Sequence, residues 1–252
     1  MDIKELFDNK IGWLVVLVIT LASFPSQQTA ITRFDPAHGN AMLIQKNNIQ
    51  VLVAGGKDSF VATELSKHVS WFDRRIEAVI IPTLTPEDTT GLLAIINKYD
   101  VGFILLPQAS PHDEFSKDLV QEIIRRHIPY RFAQYGQKIS ADGIVIRMMS
   151  SNSFRLDMDD VSLVVLGDGT SKNQQQLSLT IPSEAFPAKI LYLEQHGTKQ
   201  NMLTPSLSKL ISPVLTFSKL PYSATIAKYA HSWFMKCVHE TDLPFLQHYC
   251  MN

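Results

Sequence analysis

Cysteine is nearly absent from this chain: Cys237 and Cys250 are the two among 252 residues. Neither stands in a C-x-x-C pair or a Cys/His ligand spacing, so no structural zinc site is signalled. In an exported chain the two could bridge and close a small C-terminal loop; two separate buried thiols fit the spacing equally well. Net charge is also close to nothing, with 23 Lys and Arg against 24 Asp and Glu. A formal charge of −1 gives no global field to draw the protein onto nucleic acid or anionic lipid. The local basic groups, Arg74-Arg75 and Arg125-Arg126-His127, suit solvated helix faces. The sequence has no G-x-x-x-x-G-K-[ST] or G-x-G-x-x-G loop for a nucleotide and no G-x-S-x-G nucleophile elbow.

The uncharged stretch Ile11 to Phe24 rises about 21 Å as a helix, short of a roughly 30 Å hydrocarbon core. That length predicts a signal-peptide h-region or a short, tilted membrane anchor. Lys4 and Lys10 precede it and place the N-terminus in the cytoplasm. Residues 1–28 are therefore read as signal peptide or anchor, and residues 29–252 as one domain outside the cytoplasmic membrane, either membrane-anchored or secreted. Thr20-Leu21-Ala22 offers a weak small-x-small cleavage site. The 45% hydrophobic share supports a sizeable core, and no low-complexity linker divides the rest of the chain.

Periodicity predicts strands at 30–34, 41–44 and 49–53, an antiparallel meander around the turn Asp35 to Asn40 and ended by Gly55-Gly56. A helix over 60–69, a short buried strand over 78–81 and a helix over 90–99 follow, the last started by Glu87-Asp88. A strand over 101–106, a helix over 115–127 and strands at 131–133, 138–139 and 143–149 complete the first half. The second half predicts strands at 162–166, 188–193 and 214–218, a loop or helix start over 171–176 and a helix over 224–238. Strands interleaved with helices in both halves predict a layered α/β (α+β) sandwich.

The most informative segment is Pro82-Thr83-Leu84-Thr85-Pro86-Glu87-Asp88-Thr89-Thr90-Gly91, between a buried strand and a helix. Its frame is similar to T-H-x-D-x-D-H-x-G-G. Further degenerate matches occur in order. Phe34 to Ile44 looks like F-L-D-V-G-Q-G-D-A-I-L-I, Val51 to Gly56 like I-L-I-D-G-G, and Val164 to Asp168 like L-L-T-G-D. Leu193 to Lys199 looks like V-P-H-H-G-S, and Pro221 to Ala224 stands where Y-G-H-P is expected. Taken together, from about Ile31 onward, the chain resembles the metallo-β-lactamase-like domain of the ComEC/Rec2 competence family. The resemblance implies a four-layer αββα metallo-β-lactamase sandwich preceded by one N-terminal apolar helix. In chemistry it implies phosphodiester hydrolysis at a metal pair, on DNA outside the membrane. Metals would polarise a phosphoryl oxygen and lower the pKa of the attacking water.

Most ligand positions are replaced. Leu84 and Thr89 stand for the loop histidines and Pro86 for its other ligand; Ala54 replaces the acid of D-G-G, Gln195 one histidine of H-H-G, and Ala224 the last histidine. Leu, Pro and Ala bring no donor atom, and Thr and Gln are poor zinc ligands. Asp88, Asp168 and His196 remain as vestigial metal candidates, with Asp35 and His38 of the opening turn able to join them. The structural readings stay open beside this: Asp88 as a helix-start residue, Asp168 as a turn former, His196 as a hydrogen-bonded loop residue. The resemblance with these losses implies a pseudoenzyme with no confident catalytic residue. It implies no cofactor, or at most one divalent ion, zinc or manganese. The implied role is binding or scaffolding linked to DNA uptake. The partners are the membrane through an uncleaved N-terminal segment, a protein, and, by family analogy alone, DNA. The alternative is a metal-dependent phosphodiesterase or nuclease with a reduced single-metal site.

Overall fold

The computed structural model describes residues 29–69, 73–108, 114–167, 171–180, 188–193, 204–211, 213, 215–216, 223–229 and 232–238. The apolar segment before residue 29, Asp168, Gln195, His196 and Cys250 lie outside the described residues, and so do the expectations placed on them.

The chain opens with the expected meander. Strand β1 (Thr29–Arg33) pairs antiparallel with β2 (Met42–Lys46), and β2 with β3 (Ile49–Val53). Helix α1 (Phe60–His68) follows, burying Val61, Ala62 and Leu65. Short strands β4 (Arg75–Ile76) and β6 (Asp100–Val101) pair with each other, apart from the main sheets. Between them run β5 (Ala78–Ile80), the single turn α2 (Pro86–Thr89) and α3 (Leu92–Lys98). Then come β7 (Ile104–Leu106), α4 (Glu114–Arg125) and β8 (Tyr130–Phe132). Strands β9 (Lys138–Ala141), β10 (Ile144–Met148), β11 (Ser153–Met158) and β12 (Val161–Leu166) form a second meander. Helix α5 (Ser171–Thr180), β13 (Ile190–Leu193), α6 (Pro205–Ile211) and β14 (Leu215–Thr216) lead to the hairpin β15 (Ser223–Tyr229) and β16 (Ser232–Val238).

Two sheets result. The first has eight strands in the order β16-β15-β1-β2-β3-β5-β7-β8, and the second six in the order β14-β13-β12-β11-β10-β9. Alternation along each strand sorts side chains into separate cores, because successive residues face opposite sides of a sheet. Ile31, Ile44, Val51 and Val53 meet Ile146, Phe154, Leu156 and Leu163 between the sheets. On the other face of the first sheet, Leu43, Leu52, Val79 and Ile104 pack against Leu65, Ile95 and Ile123 of the helices. On the outer face of the second sheet, Val164, Leu166 and Leu191 pack against Leu177, Leu207 and Ile211. The layer order is thus helix, sheet, sheet, helix, as expected. Each fully buried aliphatic side chain in these cores stabilises by about 1.5–3 kcal/mol.

Residues 223–229 and 232–238 correct the expectation of a helix over 224–238. They form two antiparallel strands, and Ala224 to Lys228 of the first lie against Arg33 to Thr29. The open edge of β1 takes the strand, and the Thr32 and Thr225 hydroxyls meet across the pair at 3.0 Å. Edge pairing and β-branched cross-strand partners override a helical spacing of apolar residues. Strand β11 carries no expectation from the sequence. It alternates Phe154, Leu156 and Met158 inward with Arg155 and Asp157 outward. The helix expected over 90–99 is α3 alone, because Glu87 and Asp88 sit in the preceding turn α2.

The two ends of the sandwich differ. At one end Lys46 and Thr29 reach Asp159 at 2.7 and 3.2 Å, and Asn47 reaches Asp142 at 2.7 Å, clipping the sheets together. At the other end Arg33 lies over the ring of Tyr192 at 6.0 Å, which brings the carboxyl ends of β1 and β13 together. The loops after β1, β3 and β5 leave from this second end, because β1, β3 and β5 run in one direction.

Candidate functional site

Three loops meet at that end, and main-chain hydrogen bonds knit them. The Asn40 N–H donates to the Glu87 carbonyl at 2.9 Å and the Gly55 N–H to the Asp88 carbonyl at 2.6 Å. Gly56 donates to Asn40 at 2.9 Å, Lys57 to His38 at 2.8 Å, and Gly91 to Gly56 at 2.9 Å. Local sequence shapes each loop for this approach. Asp35 accepts the Ala37 N–H at 2.8 Å and Pro36 opens a 3₁₀ turn that ends at Gly39. Gly39 has φ of 91°, and a Cβ there would strike the Glu87 carbonyl and the Lys57 nitrogen. Only glycine combines that conformation with that contact.

Asp88 is fully buried at the centre of this junction. The Asn40 side-chain amide donates to its Oδ1 at 2.7 Å, and the Thr83 hydroxyl donates to Oδ2. Both bonds end on this fully buried carboxylate, where a polar atom left without a partner is costly. Both oxygens therefore carry a protein donor, and the carboxylate ties the opening turn to its own loop. Asp88 is a clasp between loops more than the helix-start residue that the sequence allowed.

The replaced positions are equally well placed. Ala54 is buried in a left-handed conformation, φ 57°, its N–H bonded to the Ile80 carbonyl at 2.8 Å. Leu84 packs against the core between the first sheet and its helices. Pro86 occupies the first turn of α2, and the Thr89 hydroxyl donates to the Thr85 carbonyl at 2.7 Å. Ala224 pairs directly with Arg33. Arg33 is 2% exposed and faces the space between the sheets; no sequence pattern marked it. Its signal is faint: a charged residue at the end of an otherwise apolar strand.

The opening-turn candidates do not join Asp88. His38 turns toward α1, stacked on Phe60 with ring centroids 3.8 Å apart, and its Nδ1 lies 2.8 Å from Asp58 Oδ2. Asp35 is spent on capping its own turn. Burial pushes the Asp58 carboxyl up, but hydrogen bonds from His38 and the Phe60 N–H outweigh it, aided by the His38 and Lys57 charges. Its pKa falls below the ordinary value of 3.8. Among the described residues no three His, Cys, Asp or Glu side chains come together to hold a metal ion. A metal pair thus does not fit the described part of the site: Ala54, Leu84, Pro86 and Ala224 bring no donor atom, the Thr89 hydroxyl is bonded to Thr85, and Asp88 is engaged by protein.

No family model matches this chain, and no curated protein matches it. Solved structures do resemble it. The metallo-β-lactamase fold protein YhfI from Bacillus subtilis is 14% identical, with 76% of this chain and 87% of that one aligned at a TM-score of 0.49. A metallo-β-lactamase with a HARLDQ motif from Cronobacter sakazakii is 10% identical over 78% of this chain and 89% of its own, TM-score 0.47. A diphosphatase from the PhnP family is 9% identical over 77% and 89%, TM-score 0.42. Metallo-β-lactamase fold proteins are thus among this chain's structural neighbours, while the four-layer order itself rests on this chain's own sheets and cores.

Proposed function

We propose that this chain is a ComEC/Rec2-like protein of metallo-β-lactamase fold that has left metal hydrolysis and acts in binding or scaffolding, linked to DNA uptake. On this reading the domain lies outside the cytoplasmic membrane, held by the N-terminal segment or released from it. The observation that carries it is the Asp88 clasp. The one ligand-type side chain kept in the loop from Thr83 to Gly91 is buried and bonded to Asn40 and Thr83. The neighbouring ligand positions hold Leu84, Pro86 and Thr89. The loop frame persists while its donors are gone, as expected where shape is used and metal chemistry is not. The link to DNA rests on family analogy, which assigns fold more securely than activity.

The test is metal content by mass spectrometry on the purified full chain, expressed with zinc and manganese in the medium. Near-zero metal is the expected result. One tightly held ion per chain, lost in Asp168→Ala together with phosphodiesterase activity, would overturn the proposal in favour of a single-metal hydrolase using Asp88, Asp168 and His196.

A further inference from the structure

We propose that β8, the open edge of the eight-stranded sheet, is a docking strand for an extended acidic segment of a partner protein. This edge is separate from the loop junction around Asp88, so the inference stands whether or not the preceding reading does. Among the described residues no strand lies beyond β8. The Pro129 carbonyl accepts from Ile104 at 2.8 Å and the Ala133 N–H donates to Leu106 at 2.7 Å, so these residues turn their backbone groups toward β7. By strand alternation, the N–H and C=O groups of Tyr130 and Phe132 point outward, away from the sheet.

The side chains add chemistry to that row. Tyr130 and Phe132 are 38% and 49% exposed, edge to face with centroids 6.1 Å apart. They lie opposite Ile104 and Leu106 and so share the helix-side face; Arg131, opposite Leu105, stands on the other. From Ile123 to Ala141 the sequence has no carboxylate, yet it holds Arg125, Arg126, Arg131 and Lys138. Glu122 engages Arg125 at 2.6 Å and also Arg126. Arg131 and Lys138 form no ion pair among the described residues. The charge that β8 itself carries is thus the cation of Arg131, while Lys138 belongs to β9 at the edge of the second sheet.

Charge selects the occupant. A second copy paired about a two-fold axis through Arg131 would set one guanidinium against another, and like charges directly opposite destabilise a strand pair. Nucleic acid would use the cations and the rings but leave the outward backbone groups unmatched, whereas an added strand satisfies them. The fitting segment alternates apolar, acidic, apolar: its apolar residues lie beside Tyr130 and Phe132 and its carboxylate beside Arg131.

The experiment uses the full chain and fluorescein-labelled heptapeptides Ser-Thr-Val-X-Val-Thr-Ser, with X as Glu, Lys or Ser, followed by anisotropy. The Glu peptide is expected to bind about tenfold more tightly than the Lys peptide, the difference between an attractive and a repulsive cross-strand pair. The order should invert in Arg131→Glu, an exposed change. Phe132→Pro, which removes an outward N–H while leaving the bonds to β7, should weaken the Glu peptide. The proposal is overturned if no peptide binds saturably, or if Arg131→Glu leaves the order unchanged. It is equally overturned if a labelled oligothymidylate binds in place of the peptides, or if sedimentation shows a dimer that Arg131→Glu dissociates.

Discussion

Asn40 donates its side-chain amide to the Asp88 carboxylate at 2.7 Å, a buried bond between residues 48 apart in the sequence. The bond joins the turn after the first strand to the loop after β5. It turns a loop side chain of metal-ligand type into a link between chain segments.

Removing the donor tests that link. Asn40→Ala leaves Asp88 a donor short in a buried place and should cost about 1–3 kcal/mol in urea unfolding. The double variant Asn40→Ala/Asp88→Ala should show a coupling energy of about 0.5–3 kcal/mol. Strictly additive effects would mean that the bond does not hold the loops.

Two glycines should respond very differently to the same change. In Gly91→Ala the added methyl runs into the carbonyls of Gly55 and Asp58, where main-chain bonds prevent retreat. The cost should be at least the roughly 1–3 kcal/mol of an overpacked core. Gly136, at φ 77°, has nothing within 4 Å of the added carbon. Gly136→Ala should cost only the left-handed backbone penalty, about 1–2 kcal/mol. Thermal unfolding of the two variants makes the comparison.

Acid should loosen the contact between His38 and Asp58. The Asp58 pKa lies below its ordinary value in the folded chain. Its contribution to stability is therefore complete above the ordinary value of 3.8 and is lost as pH falls through the lower folded value. Glu122, lowered to about 2 by hydrogen bonds from Arg125 and then Arg126, behaves alike over the interval from 4.5 downward. Asp58→Asn and Glu122→Gln should each flatten the acid limb of a stability-versus-pH curve. An unchanged limb in both would contradict the assignment.

Burial of Leu52 offers a check on the layer between the first sheet and its helices. It is fully buried there, and Leu52→Ala should cost about 2–5 kcal/mol, read from the denaturant midpoint. A cost under 1 kcal/mol, the range of exposed positions, would contradict that packing.

Much of this architecture is legible in the sequence where period and punctuation agree. Ile49 to Val53 is apolar but for Gln50 and stops before Gly55-Gly56, and the strand found has those limits. Phe60 to His68 repeats its apolar face at helical spacing and forms α1. Legibility fails where a partner decides. Ala224 to Val238 fits a helix by spacing alone, but the free edge of β1 makes it a hairpin. Ser153 to Met158 has charged Arg155 and Asp157 in its alternation, and its neighbours β10 and β12 make it a strand. At the site, local sequence marks the loops but not the partners of Asp88. Asn40 is distant in the chain, and the choice of His38 to stack on Phe60 depends on where α1 begins.

The junction of the three loops rests on bonds between main-chain atoms, from Asn40 to Glu87, Gly55 to Asp88 and Gly91 to Gly56. Such bonds use no side-chain atom, and what they demand of the sequence is glycine at Gly55, Gly56 and Gly91, where a Cβ would strike a neighbour. The frame therefore acts as a socket whose contacts can be rewired without recasting its shape. The side chains of Ala54, Leu84 and Thr89 take no part in these bonds, so exchanging them would leave the backbone paths fixed. That freedom lets the loop end of this sandwich change its surface faster than the fold that supports it.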